Sequence, residues 1–512
     1  MTDLEQAIDA LPRLHPGPGG ACAVLRDGQI IAQHAWGYAN AERRIPFTSK
    51  TLFRMCSVTK QFTCATLLDA FPDPSALDAD VKARLPHLET APSAAQLCHN
   101  QSGLRDYWAV AMLHGAPAES AFGDHEATRL IAAAKSLQFQ PGARYSYCNQ
   151  NFRLLSDILQ DRTGQSFADL LRTRIFDRAG MATAFLAAET SAMPDGTQGY
   201  EGTQASGFRP AVNNILWTGD AGLGASLDDM IAWERHIDAA RDDPRSLYAR
   251  LSAPVTFADG APATYGFGLG RHTKFGRAIT SHGGALRGWR SHRLHVASDR
   301  ISVVVLLNHL SRADLAATSL LAALLGETTD TPAPTAPVPA FEGAYLDSET
   351  NLAARITQTP AAKLALHYDR HPDELTPQPD GSATTEGIRL HRDETGLRMD
   401  RTHENQSSHL RPIEGAPRHD VAGHYHCPEL GADLTIADAG NTLYGAFSGF
   451  LGQGRMELLD HVAADTWTLP CPRALDHTPP GDWTLSFHRQ ANQIDAVTIG
   501  CWLARNLTYH RR

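Results

Sequence analysis

The chain has 512 residues, 42% of them hydrophobic and 20% charged, a composition typical of a soluble globular protein of about three domains. Its formal net charge of −10 argues against a nucleic-acid-binding surface or an anionic membrane surface, so we expect neither partner. No apolar run reaches the roughly 18 residues of a spanning helix, and acids stand where a signal peptide has basic residues, so we expect a cytoplasmic protein.

The eight cysteines are scattered, and none forms a CxxC pair or another zinc spacing. In a chain of this length they indicate buried thiols of a reducing compartment. Cys56 and Cys148 stand beside motif residues, which makes a catalytic cysteine an alternative, although most free cysteines behave as small hydrophobic residues. The chain has 24 histidines but no HExxH motif, and we expect no metal and no cofactor.

Residues 1–327 are predicted to form one domain whose sheet is made from both ends of the segment. Near its start, CAVLRDGQIIAQHAWG has two apolar runs around Asp27-Gly28, which is a hairpin signal. Near its end, RAITSHGGALRGWRSHRLHV and RISVVVLLNHL predict two or three further strands, and SRADLAATSLLAALL has helical spacing. Helical stretches such as SVTKQFTCATLLDAF and NFRLLSDILQDRTG lie between them.

Residues 328–340, TTDTPAPTAPVPA, alternate proline with small residues and predict an extended linker. The following part is β-rich, with short alternating runs such as DLTIADAGNTLYG and DWTLSFHR. It also carries a weak repeat: a Gly-x-Tyr motif ends at Tyr345 and again at Tyr425, and an isoleucine follows eleven residues after each tyrosine. We therefore predict two similar β-barrels, residues 341–413 and 420–512.

The first candidate motif is Ser57-Val58-Thr59-Lys60, at the start of a predicted helix. Residues three apart share a helix face, so the serine Oγ and the lysine Nζ can touch. The helix N-terminus also favours negative charge, and a serine hydroxyl needs a group that takes its proton. The alternative is a capping serine and a solvated lysine. No other lysine of the chain has a serine three positions before it.

The second candidate motif is Tyr147-Cys148-Asn149, ahead of a predicted helix. An adjacent ammonium favours the phenolate of a tyrosine, so Tyr147 would accept the Ser57 proton and return it to a leaving group. Asn149 would hold Lys60 and a substrate carbonyl. A buried tyrosine and a capping asparagine are the alternative, and whether Lys60 or Tyr147 is the acylation base stays open. Tyr38-Ala-Asn40 has the same pattern but belongs to the opening hairpin.

The third candidate motif is His282-Gly283-Gly284-Ala285, on a predicted strand. Two glycines weaken a strand but let a ligand backbone approach closely, which suits an edge that binds substrate. The backbone N–H groups of Ala285 and Ser57 would together form an oxyanion hole. A turn with a surface histidine is the alternative.

The order Ser-x-x-Lys, Tyr-x-Asn, His-x-Gly resembles the penicillin-recognising serine hydrolases, in their class C β-lactamase-like branch. The connecting segments LCHNQSGL, GDAGLGASLDDMIAW, YGFGLG and HGGALRGWRSH are similar too, and the match spans most of residues 15–325. The resemblance implies an α+β catalytic domain, an antiparallel sheet flanked by helices with a helical region that holds the Tyr-x-Asn loop. It also implies an acyl-enzyme on Ser57 and a β-lactam as an inhibitor.

Two features indicate the branch of that family. Many of its carboxypeptidases and lactamases have lysine where this chain has His282, and a neutral imidazole weakens recognition of a carboxylate. The two barrels resemble the layout of the D-stereospecific aminopeptidases, whose last barrel sends a loop into the active site. The Pro- and Gly-rich segment 472–482 looks like that loop, and by resemblance Asp476 would meet the amino group of the substrate. A solvated loop acid is the alternative.

The resemblance therefore implies a serine hydrolase that releases small N-terminal D-amino acids, such as D-Ala, from peptides, amides or esters, and suggests a homodimer. A related esterase or amidase, or a D,D-peptidase-like enzyme, is the alternative among enzymes. A binding protein on a dead hydrolase scaffold is the alternative outside them, and the intact Ser57, Lys60 and Tyr147 count against it. The preferred side chain and the physiological substrate stay open.

Overall fold

The computed structural model describes residues 2–328, 336–368 and 371–512. Residues 329–335 of the predicted linker and residues 369–370 of the predicted first barrel lie outside this part of the chain.

The α-helices of the described residues are α1 (Asp3–Leu14), α2 (Thr59–Ala70), α3 (Asp78–Arg84), α4 (Ala94–Cys98), α5 (Tyr107–Leu113), α6 (Asp124–Ala132), α7 (Asn149–Thr163), α8 (Phe167–Leu171), α9 (Asp177–Ala179), α10 (Leu227–Ala240), α11 (Leu247–Leu251) and α12 (Ala313–Leu325).

The strands of the first part are β1 (Gly19–Arg26), β2 (Gln29–Asn40), β3 (Ile45–Pro46), β4 (Phe53–Arg54), β5 (Phe185–Leu186), β6 (Tyr200–Thr203), β7 (Gly207–Pro210), β8 (Leu223–Ala225), β9 (Val255–Thr256), β10 (Pro262–Ala263), β11 (Tyr265–Gly266), β12 (Leu269–Lys274), β13 (Arg277–Leu286), β14 (Trp289–Val296) and β15 (Ile301–Leu307).

The strands after the linker are β16 (Gly343–Asp347), β17 (Ala353–Gln358), β18 (Leu364–His367), β19 (Asp373–Pro377), β20 (Ala383–Thr385), β21 (Ile388–Asp393), β22 (Gly396–Arg401), β23 (Gln406–Pro412), β24 (Gly423–Cys427), β25 (Ala432–Asp438), β26 (Leu443–Gly449), β27 (Gly452–Gln453), β28 (Glu457–Leu458), β29 (Asp460–Ala463), β30 (Thr466–Leu469), β31 (Trp483–Gln490), β32 (Gln493–Cys501) and β33 (Ala504–Arg511).

The first part is built on an eight-stranded sheet in the order β11-β12-β13-β14-β15-β1-β2-β3. Strands from the two ends of the segment meet where β15 pairs antiparallel with β1, which confirms the predicted sheet. The predicted hairpin is β1–β2, and its turn residues Asp27 and Gly28 have φ of 53° and 69°. Positive φ at both positions fits a two-residue turn that matches the strand twist.

Alternating side chains of β1 separate two hydrophobic cores. Cys22 and Val24 pack with α1 and α12 on one face, whereas Ala21 and Ala23 belong to the large core that α2, α7 and α10 share on the other. This alternation follows from the two-residue period of a strand. The helices of the second face carry the nucleophile motif and the Tyr-x-Asn motif, so this face holds the site, and the α+β fold class is confirmed.

The part after the linker consists of two β units. Strands β16–β23 form a closed eight-stranded barrel. Strands β24–β33 form a ten-stranded sheet in which β28 pairs with β26 and β29 pairs with β30. Among the described residues its ladder ends at β27 and β29, so this unit is a half-closed barrel. At one of these edges β27 and β28 both pair with β26, and each has only two residues, too few to complete a ladder.

The weak repeat is a structural one. Gly343 pairs with Ile356 in the closed barrel, and Gly423 pairs with Ile436 in the half-closed barrel, at the same offset. In both units the tyrosine hydroxyl donates to the carbonyl four residues earlier: Tyr345 to Phe341 at 2.9 Å and Tyr425 to Val421 at 2.6 Å.

Both β units contact the first part close to the Tyr-x-Asn loop. The backbone N–H of Tyr145 donates to the carbonyl of Glu404 in the closed barrel at 3.1 Å. The backbone N–H of Asp106 donates to the carbonyl of Leu503 in the half-closed barrel at 3.0 Å. The β units thus support the loops that surround the site.

Candidate active site

Ser57 lies on a strained turn. It occupies the middle of the 3₁₀ turn Cys56–Val58, between β4 and α2, and Cys56 has φ of 52°. A left-handed non-glycine residue costs about 1–3 kcal/mol and persists only where its surroundings hold it. Here Met55 donates to the carbonyl of Leu223 at 2.9 Å and accepts a hydrogen bond from Ser291 Oγ at 2.8 Å. The turn is therefore held so that Ser57 lines a large cavity.

Lys60 lies beneath Ser57 and is fully buried. Its Nζ donates to Ser57 Oγ at 2.9 Å, to Asn149 Oδ1 at 2.8 Å and to the carbonyl of Asp220 at 2.8 Å. Three acceptors match the three protons of an ammonium. Burial lowers the pKa of Lys60 to about 8, so both of its protonation states are accessible near neutral pH.

The Tyr-x-Asn loop closes over Lys60. The ring centroid of Tyr147 lies 4.9 Å from Lys60 Nζ, and Tyr147 and Asn149 both line the cavity. Cys148, between them, is extended with φ of −143° and is buried. The loop therefore directs its first and third side chains toward Ser57 and its second into the core.

Asp106 is a site residue that the sequence did not reveal. Its Oδ2 accepts hydrogen bonds from the backbone N–H of Asn149 at 2.6 Å and from Asn149 Nδ2 at 2.8 Å. Its Oδ1 caps α5 by accepting from Trp108 N–H at 2.9 Å. Burial raises the pKa of Asp106. In sequence it is an acid before an apolar helix, which predicts a cap and nothing more.

Asp220 provides the third acceptor of Lys60, its own backbone carbonyl, and its side chain holds that carbonyl in place. Its Oδ2 accepts from the hydroxyl of Tyr107 at 2.6 Å, and its Oδ1 accepts from Thr218 N–H at 3.2 Å. The side chain is thus occupied, and the backbone carbonyl is turned toward Lys60. The conspicuous sequence GDAGLG contains this residue, but a carbonyl role has no side-chain signature.

His282, on β13, is a neutral imidazole. Burial, reinforced by the nearby Lys60, lowers its pKa to about 3. Its Nδ1 lies 2.6 Å from the carbonyl oxygen of Gly283 and its Nε2 lies 3.0 Å from the hydroxyl of Tyr265. A carbonyl oxygen only accepts, so Nδ1 carries the proton and Nε2 accepts from Tyr265. Tyr265 is a second residue that the sequence did not single out.

Gly284 lets β13 approach the nucleophile turn. A Cβ at this position would lie 2.3 Å from the carbonyl oxygen of Met55 and 2.9 Å from Cys56 Cβ, distances that real Cβ atoms essentially never show. The glycine therefore brings the strand against the turn, and Ala285 and Ser57 line the same cavity.

The predicted loop, residues 472–482, leaves the half-closed barrel between β30 and β31 and reaches β13. His477 forms an antiparallel bridge with Leu286, at the end of the strand that carries His282. The backbone N–H of Arg287 donates to the carbonyl of Asp476 at 2.9 Å. His477, Thr478 and Pro479 line the cavity, so the loop closes one end of it.

Asp476 lies fully buried behind this cavity wall. Its Oδ1 accepts from Trp217 Nε1 at 3.2 Å, and Trp217 lines the cavity. Its Oδ2 is buried and has no hydrogen-bond partner within the described part of the chain. Burial raises the pKa of Asp476 to about 6, although Arg54, the Trp217 indole, the backbone of Ile215 and Arg287 oppose the rise. A buried carboxylate with an unused oxygen is costly and therefore suited to a cationic ligand.

An ion cluster anchors the loop to the first part of the chain. Arg473 contacts Glu119 and lies 3.0 Å from Glu201. Arg287 lies 2.9 Å from Glu119. These residues stand far apart in the sequence, and nothing in their local pattern connects them.

The two cysteines beside the motifs are poor nucleophiles. Burial raises the pKa of the Cys56 thiol to about 12 and that of Cys148 well above its usual value. Reactive cysteines need the thiolate, so the serine mechanism is favoured over the cysteine alternative.

The cavity has a volume of about 1250 Å³. Within the described ranges, no group of three or more His, Cys, Asp or Glu side chains is placed to hold a metal ion. No described helix is long and apolar enough to cross a bilayer.

The fold, together with the cluster of Ser57, Lys60 and Asn149, defines a class of protein: the serine hydrolases related to β-lactamases. Residues 4–327 match the family described as "Beta-lactamase", and residues 334–510 match "D-aminopeptidase, domain B". The chain is 60% identical to a D-aminopeptidase of Gluconobacter oxydans (strain 621H) over 517 residues, covering 99% of this chain and 98% of that protein. It is 46% identical to one of Cereibacter sphaeroides (strain KD131 / KCTC 12085), with 99% and 98% covered. The chain therefore belongs to the β-lactamase family and, within it, to the D-aminopeptidases.

Solved structures show the same fold at low sequence identity. The octameric penicillin-binding protein homologue from Pyrococcus abyssi is 17% identical with a TM-score of 0.54, covering 99% of this chain and 98% of that one. The D-amino acid amidase from Ochrobactrum anthropi SV3 complexed with D-phenylalanine is 20% identical with a TM-score of 0.51, covering 64% and 99%.

Proposed function

We propose that the protein is a D-stereospecific aminopeptidase that releases small N-terminal D-residues, such as D-Ala, from peptides, amides or esters. Two lines support the proposal: the full-length relatives named D-aminopeptidase, and the hydrogen bond from buried Lys60 to Ser57, which lines the cavity. The observation that carries it is the buried Asp476 carboxylate, whose Oδ2 is unpaired within the described residues, behind the wall of that cavity.

Catalysis begins at Ser57. Its Oγ attacks the carbonyl carbon of the scissile bond, and the resulting oxyanion accepts hydrogen bonds from the backbone N–H groups of Ser57 and Ala285. The Ser57 proton passes to the Lys60–Tyr147 pair and from there to the leaving amine. Water then attacks the acyl-enzyme and releases the free D-amino acid.

The pH dependence distinguishes the two proton acceptors. If neutral Lys60 takes the Ser57 proton, kcat/KM rises as pH increases through about 8, the pKa of Lys60. If Tyr147 takes it as a phenolate beside charged Lys60, kcat/KM falls across the same range. A pH profile on p-nitrophenyl acetate, which has no amine that titrates in this range, therefore assigns the base.

Asp476 recognises the substrate ammonium. The two buried aspartates beside Lys60 offer no unpaired oxygen, since both oxygens of Asp106 and both of Asp220 accept hydrogen bonds. An ammonium would satisfy Asp476 Oδ2 and offset the cost of burying its charge. Neutral His282 disfavours a carboxylate at the opposite end.

A substrate panel tests the proposal. D-Ala-p-nitroanilide should be hydrolysed, L-Ala-p-nitroanilide much more slowly, and N-acetyl-D-Ala-p-nitroanilide about tenfold to a hundredfold less well, because it lacks the ammonium. Equal rates with free and acetylated amines would favour the related esterase or amidase. A penicilloyl adduct on Ser57 would support a β-lactam as an inhibitor.

We further propose a homodimer in the cytoplasm, with domain boundaries at 1–327, 341–413 and 420–512. All eight described cysteines are free, which supports a reducing compartment. The Pyrococcus abyssi homologue is octameric, so sedimentation velocity has to distinguish a dimer from a larger assembly. Limited proteolysis should release fragments that end near these boundaries.

A further inference from the structure

The active-site cavity continues onto the opposite face of β13. Side chains of a strand alternate between its faces, so His282 and Gly284 face the nucleophile turn, whereas Ser281 and Gly283 face away from it. Both pairs line the same cavity. The cavity therefore passes around the edge of the strand instead of ending at it.

That edge is open over four residues. Strand β12 pairs with β13 only as far as the Gly270–Ser281 pair. Leu286 pairs with Trp289 of β14 on one side, so its bridge to His477 lies on the other side, in line with β12. Between these two points, residues 282–285 have no strand partner on this edge among the described residues. An extended chain can cross β13 there.

The compartment behind this edge, which we call the rear compartment, is lined by Gly270, His272, Ser281, Gly283, His292 and Leu315. It lies beside α12, which packs mainly over β14 and β15. Ion pairs between Lys274 and Glu386, and between Arg312 and Asp314, stand at its rim.

His292 offers the rear compartment an unused hydrogen-bonding atom. Its Nδ1 is buried and has no partner in the described part of the chain. Gly283 lies beside it, since a Cβ on this glycine would come within 3.3 Å of that Nδ1. Burial lowers the pKa of His292 to about 4, so the imidazole is neutral and suits an uncharged amide. His272, by contrast, is already paired with Ser281 Oγ at 2.6 Å.

We propose that the rear compartment binds the leaving portion of an oligopeptide substrate, the residues on the carboxyl side of the scissile bond, and that His292 Nδ1 hydrogen-bonds a main-chain amide of that portion. This inference rests on the proposed aminopeptidase function and adds a preference for peptides over simple amides. The leaving chain crosses β13 at Gly283, where no side chain obstructs it.

A length series tests the proposal. The wild-type protein is assayed on D-Ala amide, D-Ala-Gly, D-Ala-Gly-Gly and D-Ala-Gly-Gly-Gly. We expect kcat/KM to rise about tenfold along the series as main-chain hydrogen bonds are added. His292→Leu should lower the ratio of the tetrapeptide kcat/KM to the amide kcat/KM about fivefold. His309→Leu is the matched control, because His309 is a buried histidine whose pKa burial also lowers to about 4, and it lies outside the cavity lining.

A second variant keeps the test decisive if His292→Leu does not fold. Leu315 is 50% exposed on α12 and lines the rear compartment, so Leu315→Trp narrows the compartment without disturbing the core. It should depress the same ratio. A flat length series, or equal losses on amide and tetrapeptide in both variants, would overturn the inference while leaving the aminopeptidase function intact. Absence of hydrolysis even of D-Ala amide would instead overturn the proposed function.

Discussion

Two regions of the proposed active site differ in how completely their buried polar groups are paired: the nucleophile end, around Ser57 and Lys60, and the amine end, around Asp476. At the nucleophile end, Lys60 has an acceptor for each of its three protons, and Asn149 is held in turn by Asp106. At the amine end, Asp476 is equally buried, but one carboxylate oxygen has no partner within the described residues. The first is complete before substrate arrives, whereas under the proposed function the substrate ammonium completes the second.

The two ends also differ in origin. Ser57 and Lys60 are three residues apart in the sequence, while Asp476 comes from a different β unit and lies behind the cavity wall, on a loop anchored by ion pairs. Under the proposed function, the nucleophile end performs the chemistry common to serine hydrolases, and the loop selects which substrate undergoes it. If this division holds, changes at the first end affect every substrate, and changes at the second affect only those with a free amine.

The largest effect is expected at Ser57. Ser57→Ala removes the covalent nucleophile and should lower kcat on every substrate by on the order of a millionfold. Because Lys60 and Ser57 act as a unit, the Ser57→Ala/Lys60→Ala double variant should be little slower than either single variant. Kinetics on D-Ala-p-nitroanilide and p-nitrophenyl acetate measure this, with circular dichroism to check the fold. A residual tenth of the wild-type rate would contradict the assignment.

The second effect concerns Asp106, a positioning residue for the nucleophile end. Asp106→Ala frees Asn149 and lets Lys60 shift, and small displacements of a catalytic group cost about a hundredfold. We expect this loss in kcat, with KM little changed, on amine-bearing substrates and on acetyl esters alike. Asp106→Asn should restore part of the lost kcat. Ser166→Ala, which removes the cap of α8, is the control for a lost helix cap. A purely structural Asp106 would lower stability in both variants and leave the kcat of the folded fraction unchanged.

Sequence reasoning succeeded where the information is local. The Asp27-Gly28 turn, the Ser57–Lys60 spacing and the two Gly-x-Tyr repeats each depend on a few neighbouring residues, and each appears in the structure as predicted. The Pro- and Gly-rich loop was also predictable, because such residues interrupt a ladder.

The residues that sequence reasoning missed act through tertiary contacts. Asp106, Tyr265 and Trp217 reach Asn149, His282 and Asp476 across distant parts of the chain. Each resembles an ordinary cap or core aromatic in its own segment. The half-closed form of the last barrel is equally non-local, since it depends on how far two-residue edge strands extend.

The third prediction distinguishes the two ends directly. Asp476→Asn keeps the acceptor for Trp217 but removes the charge, so it should lower kcat/KM for D-Ala amides about tenfold to a hundredfold. Acetyl esters, which lack the amine, should be hydrolysed as before. Equal losses on both substrates would make Asp476 a structural residue and favour the esterase alternative.

The fourth prediction concerns the pH dependence that the Asp476 carboxylate gives to activity and stability. The pKa of Asp476 is raised from 3.8 to about 6, so kcat/KM for amine-bearing substrates should fall as pH decreases below about 6, and Asp476→Asn should lack this limb. The pKa of Asp476 is higher in the folded protein than in the unfolded chain, so the folded protein binds the proton more tightly. The folded protein therefore loses this contribution to its free energy of unfolding as pH rises from about 4 through 6. Asp476→Asn should therefore raise Tm at pH 7 relative to wild type, and an unchanged or lower Tm would contradict the assigned burial cost.

The smallest effect is expected at the anchor of the loop. Arg473 is 37% exposed and contacts Glu119 and Glu201, and ion pairs of this kind contribute up to about 1 kcal/mol. Arg473→Ala should therefore raise KM for D-Ala amide by about twofold to fivefold and reduce the preference for D-Ala over bulkier D-residues, with kcat on acetyl esters unchanged. Arg455→Ala is the matched control, because Arg455 pairs with Glu457 in the same half-closed barrel but outside the loop. If both variants change the amide KM equally, or if neither changes it, the ion cluster does not position the loop, and Arg287 with the bridge between Leu286 and His477 must hold it instead.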